Sequence, residues 1–131
     1  YLFSSKADEV VIYTFHLDNF TLATSNWYPI ANATGKIALS NSNTLYILTS
    51  SGWPNYEDGI GVLPLFGTSL QPKWYEGSGF YGIGIDSSKE EIYVANANGF
   101  QGNGTITVLD KSGNTVRTFD VGRGPSGFMM K

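Results

Sequence analysis

Few side chains in these 131 residues are equipped for chemistry, and their placement decides what chemistry is open to them. Glu57, Asp58 and Glu76 stand among aromatic residues. Held close together, two of these carboxylates could raise one pKa for general acid-base work, and the same grouping also holds sugar hydroxyls or cationic groups. With one histidine, His16, and no cysteine, thiolate nucleophiles, disulfides and multi-histidine metal sites have little to build on. Asp110–Asn114 (DKSGN) opens like a calcium loop, but its twelfth position is Val121 where a bidentate glutamate is required, so it reads as a tight turn. Two stretches, Gly77–Gly82 (GSGFYG) and Gly122–Gly127 (GRGPSG), match the G-x-G-x-x-G dinucleotide pattern. That pattern needs a helix after it, to present its N-terminus to the pyrophosphate, whereas a strand follows both stretches here. They read as glycine links into strands, and no metal or cofactor is implied.

Composition narrows the classes further. Eight Lys and Arg against eleven Asp and Glu give a net charge of −3 with no basic run, which argues against nucleic acid as a partner. No apolar run approaches the roughly 18 residues of a membrane-crossing helix, so no transmembrane span is expected. The chain is rich in glycine, with 16, and in aromatics, at 15%.

The elements that must position these residues come as a repeat. YLFSS from Tyr1, YILTS from Tyr46 and YVANA from Tyr93 recur at spacings of 45 and 47. KIALS from Lys36, GIGID from Gly82 and GFMMK from Gly127 recur at 46 and 45, and VVIYT from Val10, IGVLP from Ile60 and ITVLD from Ile106 at 50 and 46. Each segment is rich in β-branched and aromatic residues and is bounded by Gly, Asn, Ser or Pro, as strands are. A weaker strand follows near Phe20–Thr24, Ser69–Trp74 and Thr115–Val121. No stretch carries helical periodicity over three turns. Four short strands in each period of about 46 residues describe the blade of a β-propeller. The expected fold is all-β, about three four-stranded blades, with repeats near 1–35, 36–81 and 82–126 and a closing innermost strand at 127–131. Three blades are fewer than a closed ring uses. The segment is therefore expected to be the C-terminal part of a larger propeller, its remaining blades coming from a longer chain or a second chain.

The unit from Gly79 to Gly127 resembles the YVTN-type propeller repeat of bacterial surface and extracytoplasmic proteins, through GIGID, IYVANA, ITVLD and TFDVGRGPSG in that order. The likeness is partial for 36–77 and poor for the first 35 residues. It implies that GIGID is an innermost strand and TVRTFDV an outermost one, that the complete ring is six- to eight-bladed, and that the protein works outside the cytoplasm, at the cell surface or in the periplasm.

With strand direction alternating, the loops divide between two ends of the blades. One end carries short polar turns. The other is expected to carry Ser25–Pro29, Ser51–Gly59, Trp74–Tyr81 and Asn98–Gly104, which together hold all three tryptophans. Trp and Tyr offer a flat apolar body with a polar edge, suited to a ligand surface. The candidate binding residues are Trp27, Tyr28, Trp53, Tyr56, Glu57, Asp58, Trp74, Tyr75, Tyr81 and Phe100, with Trp53 and Tyr56 foremost because Pro54 stiffens their turn. The expected function is non-enzymatic capture of a small molecule, glycan or protein partner on this face. One alternative is a corrinoid-capturing surface lipoprotein, as the resemblance suggests. Another is a propeller hydrolase or lactonase, for which the innermost strands offer little beyond Asp86.

Overall fold

A computed structural model describes the chain except for Ala7, Trp53, Thr68, Met130 and Lys131. Eleven strands form three antiparallel sheets. The first sheet holds β1 (Leu2–Lys6), β2 (Glu9–Phe15) and β3 (Leu22–Tyr28). The second holds β4 (Ala33–Leu39), β5 (Thr44–Ser50), β6 (Asp58–Pro64) and β7 (Gln71–Gly77). The third holds β8 (Phe80–Asp86), β9 (Glu91–Asn96), β10 (Gly104–Leu109) and β11 (Thr115–Val121). Within each sheet every strand pairs with its neighbour in sequence, giving the up-and-down order of a propeller blade. The result is an open, partial propeller. The first sheet has three strands, and β1 is its unpaired inner edge.

The blades pack through alternate residues of the same strands, because successive side chains of a strand point to opposite faces. Tyr46, Leu48, Ile60 and Val62 face the third sheet and meet Ile83, Ile92, Val94 and Leu109 in one core. Leu45, Ile47 and Leu63, the residues between them, face the first sheet and meet Val10, Ile12 and Ile30 in a second. Glycine makes this second seam close: a Cβ on Gly61 would collide with the end of the Ile30 side chain. A third cluster, Ala95, Ile106 and Val108 with Tyr93, Val121 and Phe128 beside it, lies on the outward face of the third sheet.

The strand cores agree with the repeat, and so does the outer strand Thr115–Val121, but the other two outer strands do not begin and end where the sequence suggests. The strands expected at Phe20–Thr24 and Ser69–Trp74 are Leu22–Tyr28 and Gln71–Gly77. Phe20 belongs instead to the β2–β3 turn, with φ +54° and its N–H donating to the His16 carbonyl at 2.9 Å. Gly127–Met129 form no strand, so the closing strand expected at 127–131 is absent among the described residues. The tail lies along β8 instead. The edge that could pair with it, β1, is on the far side of β4. Asp110 accepts from Ser112 and Asn114 backbone N–H groups at 2.8 and 3.0 Å and closes the tight turn read from DKSGN.

Candidate ligand-binding face

The nine described candidate residues are not gathered into one surface. Trp27, Tyr28, Trp74 and Tyr75 were expected in loops but lie within β3 and β7. Outermost strands bury almost nothing, and pairing with the third strand, not an apolar pattern, carries them to Tyr28 and Gly77. Trp27 is 58% exposed, and with Tyr28 it lines an open lateral hollow of about 610 Å³ beside Leu70 and Pro72. Trp74 turns toward the opposite end of the blades. It packs edge-on against Tyr46, with ring centroids 5.3 Å apart, and borders a hollow of about 240 Å³ beside Glu90 and Lys111. Tyr75 stacks on Phe80 at 5.8 Å inside the seam between the second and third sheets. Trp53 lies outside the described residues.

The carboxylates separate as well. Asp58 opens β6, only 4% exposed, and its Oδ2 accepts the Phe80 N–H at 2.8 Å. Its Oδ1 is buried without a hydrogen-bond partner among the described residues. Glu57, one residue earlier, is exposed in a loop whose ends are tied by Ser51: the Ser51 N–H donates to the Glu57 carbonyl, and the Ser51 Oγ accepts the Glu57 N–H at 2.9 Å. Glu76 pairs with Lys73 at 3.1 Å. Glu57 and Glu76 rim an open cleft of about 500 Å³ that has Asn32 and Thr49 on its other walls. Among the described residues no group of three acidic or histidine side chains is placed to hold a metal ion.

Tyr81 and Phe100 do come together. The β8–β9 register slips between Phe80 and Gly82, leaving Tyr81 as the extra residue of a bulge, a device that re-aims a side chain at a strand end. The bulge turns Phe80 into the seam while Tyr81 meets Phe100 edge-on, with ring centroids 4.8 Å apart. Phe100 ends a single 3₁₀-type turn, Asn98–Phe100, in which all three residues have positive φ, from +48° to +63°. Left-handed backbone costs a non-glycine residue about 1–2 kcal/mol, and such strain collects at functional sites. The packing that holds Phe100 there includes Gly124, on which a Cβ would stand 3.2 Å from the ring. Phe100 nonetheless remains 51% exposed. Lys36, from the neighbouring innermost strand β4, completes the group: its Nζ sits 3.6 Å above the Tyr81 ring centroid and donates to the Tyr81 carbonyl. Partial burial lowers its pKa. Tyr56, in the Ser51–Glu57 loop, is likewise exposed and left-handed, with φ +47°.

Lys36 was not among the sequence candidates. The signal was in the repeat: Lys36 stands where the two later copies have Gly82 and Gly127, so a cation replaces glycine in one innermost strand of the three.

No family model matches the chain, and no curated protein does either. Solved structures do. The β-propeller domain of the Trilobed protease from Pyrococcus furiosus, described as having an open velcro topology, superposes with a TM-score of 0.60 at 16% identity over 88% of this chain and 35% of that one. Acylaminoacyl peptidase, solved with Z-Gly-Gly-Phe-chloromethyl ketone, superposes with a TM-score of 0.63 at 13% identity over 88% of this chain and 21% of that one. At these identities the likeness carries the propeller fold alone. The chain spans about a third and a fifth of those two proteins.

Proposed function

We propose that this chain is part of a non-enzymatic propeller, extracytoplasmic or at the cell surface, that captures a ligand or partner at the end of the blades where Tyr81, Phe100 and Lys36 meet. One observation carries the reading. Two aromatic rings stand edge to face and partly open to solvent at the end of an innermost strand, and a left-handed turn is held in place to keep one of them there. Exposed rings forgo burial worth roughly 25 cal/mol per Å², and a ligand that covers them recovers it. The ammonium beside the rings favours a ligand with a flat apolar body and a hydrogen-bond acceptor. A sugar ring or a corrinoid side chain offers both. The extracytoplasmic setting follows the resemblance of Gly79–Gly127 to YVTN-type repeats.

The test is direct binding of cyanocobalamin and of neutral and acidic oligosaccharides, measured by calorimetry on wild type and three variants. Phe100→Ala and Tyr81→Ala weaken the bound probe by about tenfold or more, as loss of an aromatic contact does. Trp27→Ala, on the lateral hollow, leaves it unchanged. Binding that survives both Phe100→Ala and Tyr81→Ala, or that is lost with Trp27→Ala, refutes the site.

A further inference from the structure

The seam between the second and third sheets is aliphatic at its centre and opens, at one end of the blades, into the hollow of about 240 Å³ that Trp74 borders. This is the end away from Tyr81, since Tyr81 begins β8 and Ile85, on the wall of the hollow, stands at the strand's far end. Strand alternation builds one wall. Thr44 and Tyr46 are two apart on β5, and Val62 is paired with Tyr46 on one side and with Gln71 on the other, so all four face the third sheet. The third sheet answers with Ile85, with Ser87 and Glu90 of the turn after β8, and with Lys111 of the turn after β10. Neither wall draws on β1 or on the segment after β11.

Trp74 is the broad apolar side of the hollow, and it is held from two directions. Tyr46 packs edge-on to it at 5.3 Å, and the Asp110–Asn114 turn comes so near that a Cβ on Gly113 would stand 3.4 Å from the indole Cε2. Tyr46 is only 6% exposed, yet its hydroxyl, still reached by solvent, forms no hydrogen bond among the described residues. Burial, and after it the charge of Glu90, raise its pKa and keep it a neutral donor. In so enclosed a place a hydroxyl favours any guest that can bond it. At the mouth, Lys111 Nζ meets the Glu90 carboxylate at 3.0 Å, which sets a donor and an acceptor side by side without net charge. Glu90 has φ +54°, a backbone that Asn43 adopts at the same place in the preceding repeat with φ +57°. Asparagine takes that conformation readily, whereas left-handed backbone costs other residues about 1–2 kcal/mol.

The lining selects its guest. The paired charges cancel, which disfavours an ion of either sign, and no group of three acidic or histidine side chains among the described residues is placed to hold a metal. Ser40, Ser42, Ser87 and Gln71 make the hollow too polar for a wholly apolar guest. At roughly 30 Å³ for each water, it has room for about eight waters, the space of one sugar ring. We infer that this hollow is a binding site for a single neutral pyranose ring, whose C–H face lies against Trp74 and whose hydroxyls bond Tyr46 Oη, Gln71 and the Glu90–Lys111 pair. The inference is independent of the site at Tyr81, Phe100 and Lys36, which lies at the opposite end of the blades.

Titration with the methyl glycosides of glucose, galactose, mannose and N-acetylglucosamine tests it, followed through the indole N–H resonances of the isotope-labelled chain. Three tryptophans give three signals, and Trp74→Phe identifies its own. At least one glycoside should shift the Trp74 signal saturably with a Kd of about 1–10 mM, leaving the Trp27 signal in place. Tyr46→Phe removes only a hydroxyl, and Gln71→Ala changes an exposed residue of an outer strand, so both variants keep the wild-type melting temperature while binding weakens about fivefold or more. Glu90→Asn, which copies the preceding repeat, should bind less well yet unfold no more easily. No saturable shift with any of the four up to about 100 mM, or binding indifferent to both Tyr46→Phe and Gln71→Ala, overturns the inference. Equal shifts with sodium acetate or ethylammonium chloride make the hollow an ion site and overturn it too. Phe100→Ala should leave the Trp74 titration unchanged; a shift lost in that variant places the glycoside at the other end and refutes this site. Calorimetric failure at Tyr81 and Phe100, with the Trp74 titration intact, refutes only the other.

Discussion

Tyr46, Leu48, Ile60 and Val62 in the second sheet hold the same places in the repeat as Tyr93, Ala95, Ile106 and Val108 in the third, yet only the first set is closed over by another blade. The covered set meets four aliphatic residues of the next sheet and is flanked by Trp74 and Tyr75. The outward set is covered in part by Phe128, and beside it stands a polar group: Arg117 forks onto both oxygens of Glu91 at 2.8 Å and reaches the Tyr93 hydroxyl at 3.0 Å. Strand chemistry therefore decides which way a residue points. What it points into decides what the contact is worth, and the two faces should respond differently to the same kind of damage.

The largest effect belongs to the covered face. Ile60 is fully buried in the seam, so Ile60→Ala loses both apolar transfer and the cavity left behind, about 3 kcal/mol by urea unfolding. Phe119→Ala, on the outward face where the ring is 43% exposed, costs less than about 1 kcal/mol. Equal losses would mean that the outward face is as well packed as the seam, and the contrast would be gone.

Asp58 gives the next effect, because it is the polar member of the covered side. Asp58→Ala strands the Phe80 N–H, so an expected loss of about 2 kcal/mol follows from an unmade hydrogen bond in a buried place. Asp58→Asn keeps an acceptor for that N–H and loses less. Thermal unfolding of the two variants side by side reads the difference, and identical losses would assign the effect to packing.

The repeat was legible because inner strands bury both faces, so Tyr46–Ser50, Ile60–Pro64, Tyr93–Ala97 and Ile106–Asp110 stand out as apolar runs at a fixed period. Two of the outer strands, β3 and β7, were not: like β11 they carry mostly exposed residues and owe their extent to pairing, and only β11 begins and ends where the sequence reading puts it. That is why Trp27, Tyr28, Trp74 and Tyr75 read as loop residues. Phe100 was legible as a loop aromatic. Its partner Tyr81 owes its direction to a bulge, and a bulge is a matter of register between strands that no single strand displays. The Asp58 environment was hidden for a simpler reason: adjacent residues at the start of a strand part company, so Glu57 meets water while Asp58 enters the seam.

The smallest effect separates the two faces by pH. Hydrogen bonds from Arg117, and after them from Tyr93, hold the Glu91 carboxyl below the ordinary glutamate range. A depressed carboxylate pKa contributes stability that is present above the unfolded-state value and is lost as pH falls through the folded-state value. The outward face of the third sheet should therefore loosen on acidification, while Ile60, Ile83 and Ile92, the aliphatic part of the seam that Asp58 borders, carry no titratable group. Asp86 and Asp110 are shifted in the same direction by their own turns, so wild-type acid sensitivity alone does not single out Glu91. Glu91→Gln does. Its unfolding free energy should fall less steeply than that of wild type between about pH 5 and pH 2, and at neutral pH the variant should be slightly less stable, because a forked ion pair has been reduced to a neutral contact. Amide exchange of 117–121 followed across that range localises the change. If wild type and Glu91→Gln lose stability in parallel, the Arg117 fork is not coupled to folding, and the outward face owes its order to Phe128 and its apolar neighbours alone.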